Sequence, residues 1–181
     1  MSQLASQIKL FRYYKTLGEG AMAQMQESDL TQSIYEGGNS VAVIVGHLHG
    51  NMLSRWTGFP EQDGEKEWRQ RDQEFELQLT AKNKIDEAWE TGWTCLMRAL
   101  KPLRDSDMNR ITYIRQEGHT IAEAIGRQVA HYAYHVGQIV VLARYHVGED
   151  WKSLSIPRGE SATFNQKKMT GQKVIKHFTD H

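Results

Sequence analysis

Pro60, Pro102 and Pro157 are the only prolines in the chain, and none lies in the interior of a long apolar-periodic segment. A proline within a helix removes a hydrogen bond and clashes with the preceding turn, so this spacing leaves room for long unbroken helices. The first is expected over residues 3–27, where Leu4, Ile8, Phe11, Tyr14, Leu17, Ala21 and Met25 keep a 3.6-residue period. Gly37-Gly38-Asn39-Ser40 breaks the chain and offers capping oxygens to a second helix over 41–56, which Gly58-Phe59-Pro60 ends. A third spans 79–103, with Ile85, Ala88, Trp89, Gly92, Leu96, Ala99 and Leu103 as its buried stripe. Thr120-Ile121-Ala122-Glu123 is a capping box that starts a fourth, and Gly148 is placed to end it. Four such segments predict an all-α, four-helix bundle. Only Ile111 to Arg115 shows the alternation of a short extended segment.

Between the second and third helices, residues 61–76 are charged and poor in aliphatics, which reads as a long loop or partial helix. Residues 1–148 therefore form the bundle and 149–181 a polar extension packed on it or trailing from it. Lys167, Lys168, Lys173 and Lys176 in that extension read as a solvated face. Lys plus Arg equals Asp plus Glu, 22 against 22, so no overall field draws the chain to nucleic acid or to an anionic membrane. No apolar run is longer than Val41 to Val45, which is far too short to span a bilayer, and no charged region precedes an apolar one at the N-terminus. A single cysteine, Cys95, excludes an intramolecular disulfide and fits a reducing cytoplasm; its helical, apolar setting reads as a buried and inert thiol.

Chemistry concentrates on the fourth helix. His131 and His135 are four residues apart, so both imidazoles leave one face at neighbouring levels. Two neutral imidazoles held this way make half of a metal site, although the same spacing also arises on ordinary polar faces. No Glu follows the first His, so zinc-peptidase chemistry is not indicated. Ala124, Gln128, His131, His135, Gln138 and Leu142 form one stripe that turns polar only at its middle, where a bundle holds a cofactor. Gly46 and Gly137 would allow neighbouring helices to approach closely there. A third ligand has to come from elsewhere. His47 is preferred because it shares a face with Val43 and Gly50, whereas His49 points about 200° away. His119 reads as a loop residue, and His146 stands too far beyond His135 to share an ion.

Gly46-His47-Leu48 together with His131-Tyr132-Ala133-Tyr134-His135-Val136-Gly137-Gln138 resembles the DinB/YfiT-like superfamily of four-helix metalloproteins, over roughly residues 5–148. Trp151 to Asn165 is similar to the C-terminal segment of one branch of it. The resemblance implies an up-down-down-up bundle, a divalent ion on His47, His131 and His135 completed by water, and a homodimer. Zinc or nickel is the favoured metal. Relatives include transferases acting on low-molecular-weight thiols such as bacillithiol, and a mycothiol-dependent maleylpyruvate isomerase. The superfamily name refers to induction by DNA damage, and the neutral charge here argues against nucleic-acid binding.

The expected function is accordingly metal-dependent transfer of a small thiol to an electrophile. Metal-assisted hydrolysis and a non-catalytic metal-binding or small-molecule-binding bundle are the alternatives. No carboxylate is evident in the sequence as a general base, since Glu123 is committed to the helix cap. Asn51 and Gln128 are placed to orient water or substrate or to serve helix contacts, and Ser155 and Arg158 to cover the bundle mouth.

Overall fold

A computed structural model describes residues 2–172 and 177–179 of the chain. Lys173, Lys176 and His181 lie outside the described residues. Four long helices carry the fold: α1 (Gln3–Met22), α2 (Val41–Trp56), α3 (Lys82–Leu100) and α4 (Ile121–Val147). A short α5 (Ser161–Met169) follows in the C-terminal extension. The main packing pairs are α2 with α3 and α1 with α4, while α2 also meets α4.

Local chemistry sets the helix starts. Ser2 accepts from the Ala5 amide, Ser40 from the Val43 amide, and Thr120 from the Glu123 amide while Glu123 Oε2 accepts from the Thr120 amide at 2.8 Å. Gly148 ends α4 at φ 63°, a region in which L side chains are strained. Its ψ of −128° lies outside the left-handed helical well, so the end is not a simple left-handed cap.

The fold is mostly helical but not wholly so. Ile111–Ile114 (β1) and Glu117–Thr120 (β2) form an antiparallel hairpin in which Ile111 faces Thr120 and Ile114 faces Glu117. An all-α class is therefore too strict, because the extended segment found a partner strand across the two-residue turn Arg115-Gln116. His119 belongs to β2 and not to a loop. Helix α1 stops at Met22 and α3 begins at Lys82, so each is shorter than its apolar period. Met25 and Leu79 still pack on the core, but from non-helical backbone.

Phe11, Trp56, Trp93 and Tyr132 pack at the centre in edge-to-face and tilted pairs with ring centroids 5.7 to 6.5 Å apart. Trp56 Nε1 donates to Tyr132 Oη at 2.9 Å, and Tyr132 Oη donates to Asn51 Oδ1 at 3.1 Å. That chain ties α2 to α4 next to the histidines. Trp56, Trp89 and Trp93 are buried while Trp68 is exposed, so the bundle uses most of its tryptophans internally. Cys95 is half-buried. No helix among the described residues is long and apolar enough to cross a membrane.

Candidate metal centre

His47, His131 and His135 come together, with one ligand nitrogen from each lying within 4.8 Å of the others. Helix α2 supplies His47 and α4 supplies the other two at the expected one-turn spacing. His131 Nε2 is 3.4 Å from His47 Nε2 and 3.1 Å from His135 Nε2. Two nitrogens on one ion at about 2.05 Å stand roughly 3.3 Å apart at a tetrahedral angle and about 2.9 Å apart at a right angle. The three side chains can hold a metal ion.

Hydrogen bonding on the far side of the rings fixes which nitrogen is free. His47 Nδ1 is 2.9 Å from Glu74 Oε2, and His135 Nδ1 is 2.9 Å from Gln138 Oε1. A carboxylate and an amide oxygen only accept, so both Nδ1 atoms carry the proton and both Nε2 atoms present lone pairs. His131 Nε2 faces both lone pairs, and one proton there can satisfy only one of them. A cation satisfies all three. Burial, with His135, His47 and the nearby Arg55 and Arg69 charges adding to it, lowers the His131 pKa to about 3. Burial, reinforced by His47 and opposed by Gln138, lowers that of His135 to about 4. Both rings are neutral at pH 7, as metal ligation requires.

Glu74 was not recognisable in the sequence as part of a site. It lies in a short 3-10 helix, Arg71–Phe75, within the polar stretch. Arg69 grips it through Nε to Oε1 at 2.7 Å and Nη2 to Oε2 at 2.8 Å. Burial opposes its ionisation, but the bonds from Arg69 and His47 outweigh that and hold its pKa below the usual carboxylate value. Phe75 stacks on His47 with ring centroids 4.6 Å apart and planes 27° apart. A carboxylate thus stands beside the site after all, but it carries a ligand ring rather than facing the cavity, an arrangement typical of metal-binding histidines.

Gly50 makes room for this carboxylate. A Cβ there would lie 2.7 Å from Glu74 Cδ, an impossible contact. Gly46 and Gly137 do not have the role expected of them, since a Cβ on Gly46 would meet nothing closer than 3.8 Å and one on Gly137 nothing within 4 Å.

The histidines open into a cavity of about 420 Å³ whose walls include Asn51, Gln128, Phe75 and Tyr134. Asn51 accepts from Tyr132, whereas Gln128 Oε1 is buried with no partner among the described residues. Ser155 and Arg158 do not line this cavity. The extension runs along α1 instead: Gln24 bonds both to the Lys152 carbonyl and to its amide, and Leu154 packs near Gly20. His49 lies where α2 meets α3 and lines a separate groove.

A family model described as "Protein of unknown function (DUF1572)" matches residues 1–160, and the chain belongs to that family. Searches of curated proteins and of solved structures return no match.

Proposed function

We propose that this member of the DUF1572 family is a DinB-like metalloprotein, with its long helices in an up-down-down-up bundle. One divalent ion, zinc or nickel, is held on Nε2 of His47, His131 and His135. The convergence of those three nitrogens, two with their opposite Nδ1 protons committed to Glu74 and Gln138, carries this reading. When bound, such an ion supplies Lewis acidity that lowers the pKa of a coordinated thiol or water.

Transfer of a low-molecular-weight thiol to an electrophile is the reaction we assign. No Asp or Glu lines the cavity among the described residues, and Glu74 spends its oxygens on His47 and Arg69. Hydrolysis calls for a positioned base to take a proton from water and an acid for the leaving group. Thiol transfer needs neither. The thiol proton passes to solvent, a sulfur–carbon bond forms, and the carbon–halogen bond of an aryl chloride breaks with the halide taking its electron pair. Glu74 and Gln138 hold the ligand rings in one tautomer throughout, and Asn51 and Gln128 offer amides to the bound molecule.

The test incubates metal-loaded protein with bacillithiol or a related thiol and a chloro-aromatic electrophile, alongside the three His→Ala variants. Turnover that requires thiol, metal and all three histidines supports transfer. Turnover without thiol identifies a hydrolase. Absence of turnover across a broad panel, with a sharp fall in melting temperature on metal removal, identifies a non-catalytic metal-binding bundle.

The same reading includes a homodimer. Tyr134, Val141 and Tyr145 are exposed and fall within about 40° of one another around α4, an apolar stripe suited to a second copy. A concentration-independent sedimentation mass near 20.8 kDa contradicts it.

A further inference from the structure

Five arginines line the cavity over the histidines: Arg55, Arg69, Arg71, Arg115 and Arg127. No carboxylate among the described residues shares those walls. The chain as a whole is neutral, so this concentration of one sign is local. Three carboxylates reach the arginines from outside the cavity lining. Glu65 lies 3.2 Å from Arg55, 3.7 Å from Arg69 and 2.9 Å from Arg115. Glu74 pairs with Arg69, and Asp72 stands 3.7 Å from Arg71 at the surface. With the Asp63 carboxylate at the Arg115 amide, five cations face four anions, an excess of one positive charge before any metal is counted. The Arg127 side chain has no ion pair or hydrogen bond among the described residues.

A second observation comes from Arg55. It is 6% exposed, and its Nε is buried with no hydrogen-bond partner among the described residues. A buried guanidinium donor left unpaired is costly, and the fold keeps this cation in the cavity wall despite that cost. The backbone beside Arg115 points the same way. Arg115 and Gln116 have φ of 55° and 64°, a left-handed pair that hairpin turns normally assign to Asn-Gly. Asp63 clamps that strained turn, accepting from the Arg115 amide at 2.8 Å and the Gln116 amide at 2.7 Å. The fold thus accepts backbone strain at the turn that brings Arg115 to the cavity wall.

Two of the arginines stand one step from a ligand histidine. Arg127 precedes His131 by four residues on α4, which places their Cβ atoms roughly 6 Å apart. Arg71 lies over the Phe75 ring at 5.1 Å, and Phe75 stacks on His47. We propose that this cavity binds an oxyanion, a carboxylate or phosphate group, with Arg71, Arg115 and Arg127 gripping it and the Arg55 and Arg69 charges in the wall behind them. Assigning that group to the molecule that reacts at the histidines rests on the metal-site reading; anion binding by the arginines does not.

Calorimetric titration of the metal-loaded full chain at low ionic strength tests this, using succinate and inorganic phosphate as probes and succinamide as the neutral control. One of the two anions is expected to bind at one per chain, more weakly as salt is added, and succinamide is expected not to bind. The Arg71→Gln/Arg127→Gln variant alters only exposed side chains and should lose affinity at least about tenfold, with Arg115→Gln also weakened. Tighter binding of succinate identifies a carboxylate ligand, and tighter binding of phosphate a phosphate ligand. The proposal is overturned if succinamide binds as well as succinate, if neither anion binds, or if affinity is unchanged in both variants. Zinc titration of the same samples separates the two readings. Zinc bound without anion removes this inference alone, while anion bound without zinc removes the metal site and leaves the anion site standing.

Discussion

His47 Nδ1 lies 2.9 Å from Glu74 Oε2, and the same carboxylate is held from its other side by the Arg69 guanidinium. Arg69, Glu74 and His47 form a relay of opposite charge and hydrogen bonds that ends on a ring nitrogen aimed at the other two histidines. Removing the carboxylate frees the His47 ring to rotate and to change tautomer. Glu74→Ala is expected to weaken zinc binding about 10- to 100-fold, and Glu74→Gln, which keeps an acceptor, by less. Competition against a chromophoric chelator measures both. Equal zinc affinity in Glu74→Ala and the parent chain would show the relay to be irrelevant to the metal.

Gly50 offers an independent test of that relay without touching it. A methyl group at this position collides with Glu74, which cannot swing aside freely because Arg69 and His47 both hold it. Gly50→Ala should therefore lower zinc affinity in the same direction as Glu74→Ala. It should add little to the loss when the two are combined, because both act on one relationship. Fully additive losses would mean that the glycine serves something else.

Tyr132 Oη joins Trp56 to Asn51 inside the core. Tyr132→Phe leaves the Trp56 N–H without its acceptor and Asn51 Oδ1 without its donor. Its expected cost is about 1–3 kcal/mol by urea unfolding, with little change in the slope of the transition. A loss below about 0.5 kcal/mol would show that the buried chain contributes little.

Acid should destabilise the metal-free protein through the histidines. His131 and His135 have folded pKa values of about 3 and about 4, below the ordinary 6.5. As pH falls from 6.5 towards 4 the unfolded chain takes up protons that the folded chain does not, so stability falls with pH. The slope is at most about 1.4 kcal/mol per pH unit for each group. Urea unfolding at pH 7, 6 and 5 should show a steeper loss in the parent chain than in His131→Asn/His135→Asn. Parallel loss in the two would contradict the assignment.

Features governed by neighbours within a turn were legible in the sequence. The Thr120–Glu123 capping box, the bounds of α2 and the polar middle of the α4 stripe all depend on residues three or four apart, and all are present. His47 was separable from His49 by helix phase alone. Glu74 was not legible, because it lies in a non-periodic segment and its partner His47 is 27 residues away. The Gly50 face was visible, but what fills its missing side chain depends on where the loop folds back. Helix ends at Met22 and Lys82 were missed for a related reason. Met25 and Leu79 keep the apolar period while packing from irregular backbone, so hydrophobicity alone overextends the helices. The hairpin was half legible: alternation marked β1, whereas β2, Glu117-Gly118-His119-Thr120, is too polar to announce itself.

Metal content is the most direct test of the central claim. Protein purified without chelator or nickel resin is to be analysed by elemental mass spectrometry and then titrated with zinc. One ion per chain is expected, with most of it lost in each of His47→Ala, His131→Ala and His135→Ala. His49→Ala and His146→Ala should retain it, because His49 lines a different groove and His146 lies beyond the site on α4. Full occupancy in the His131→Ala/His135→Ala double variant would contradict the account.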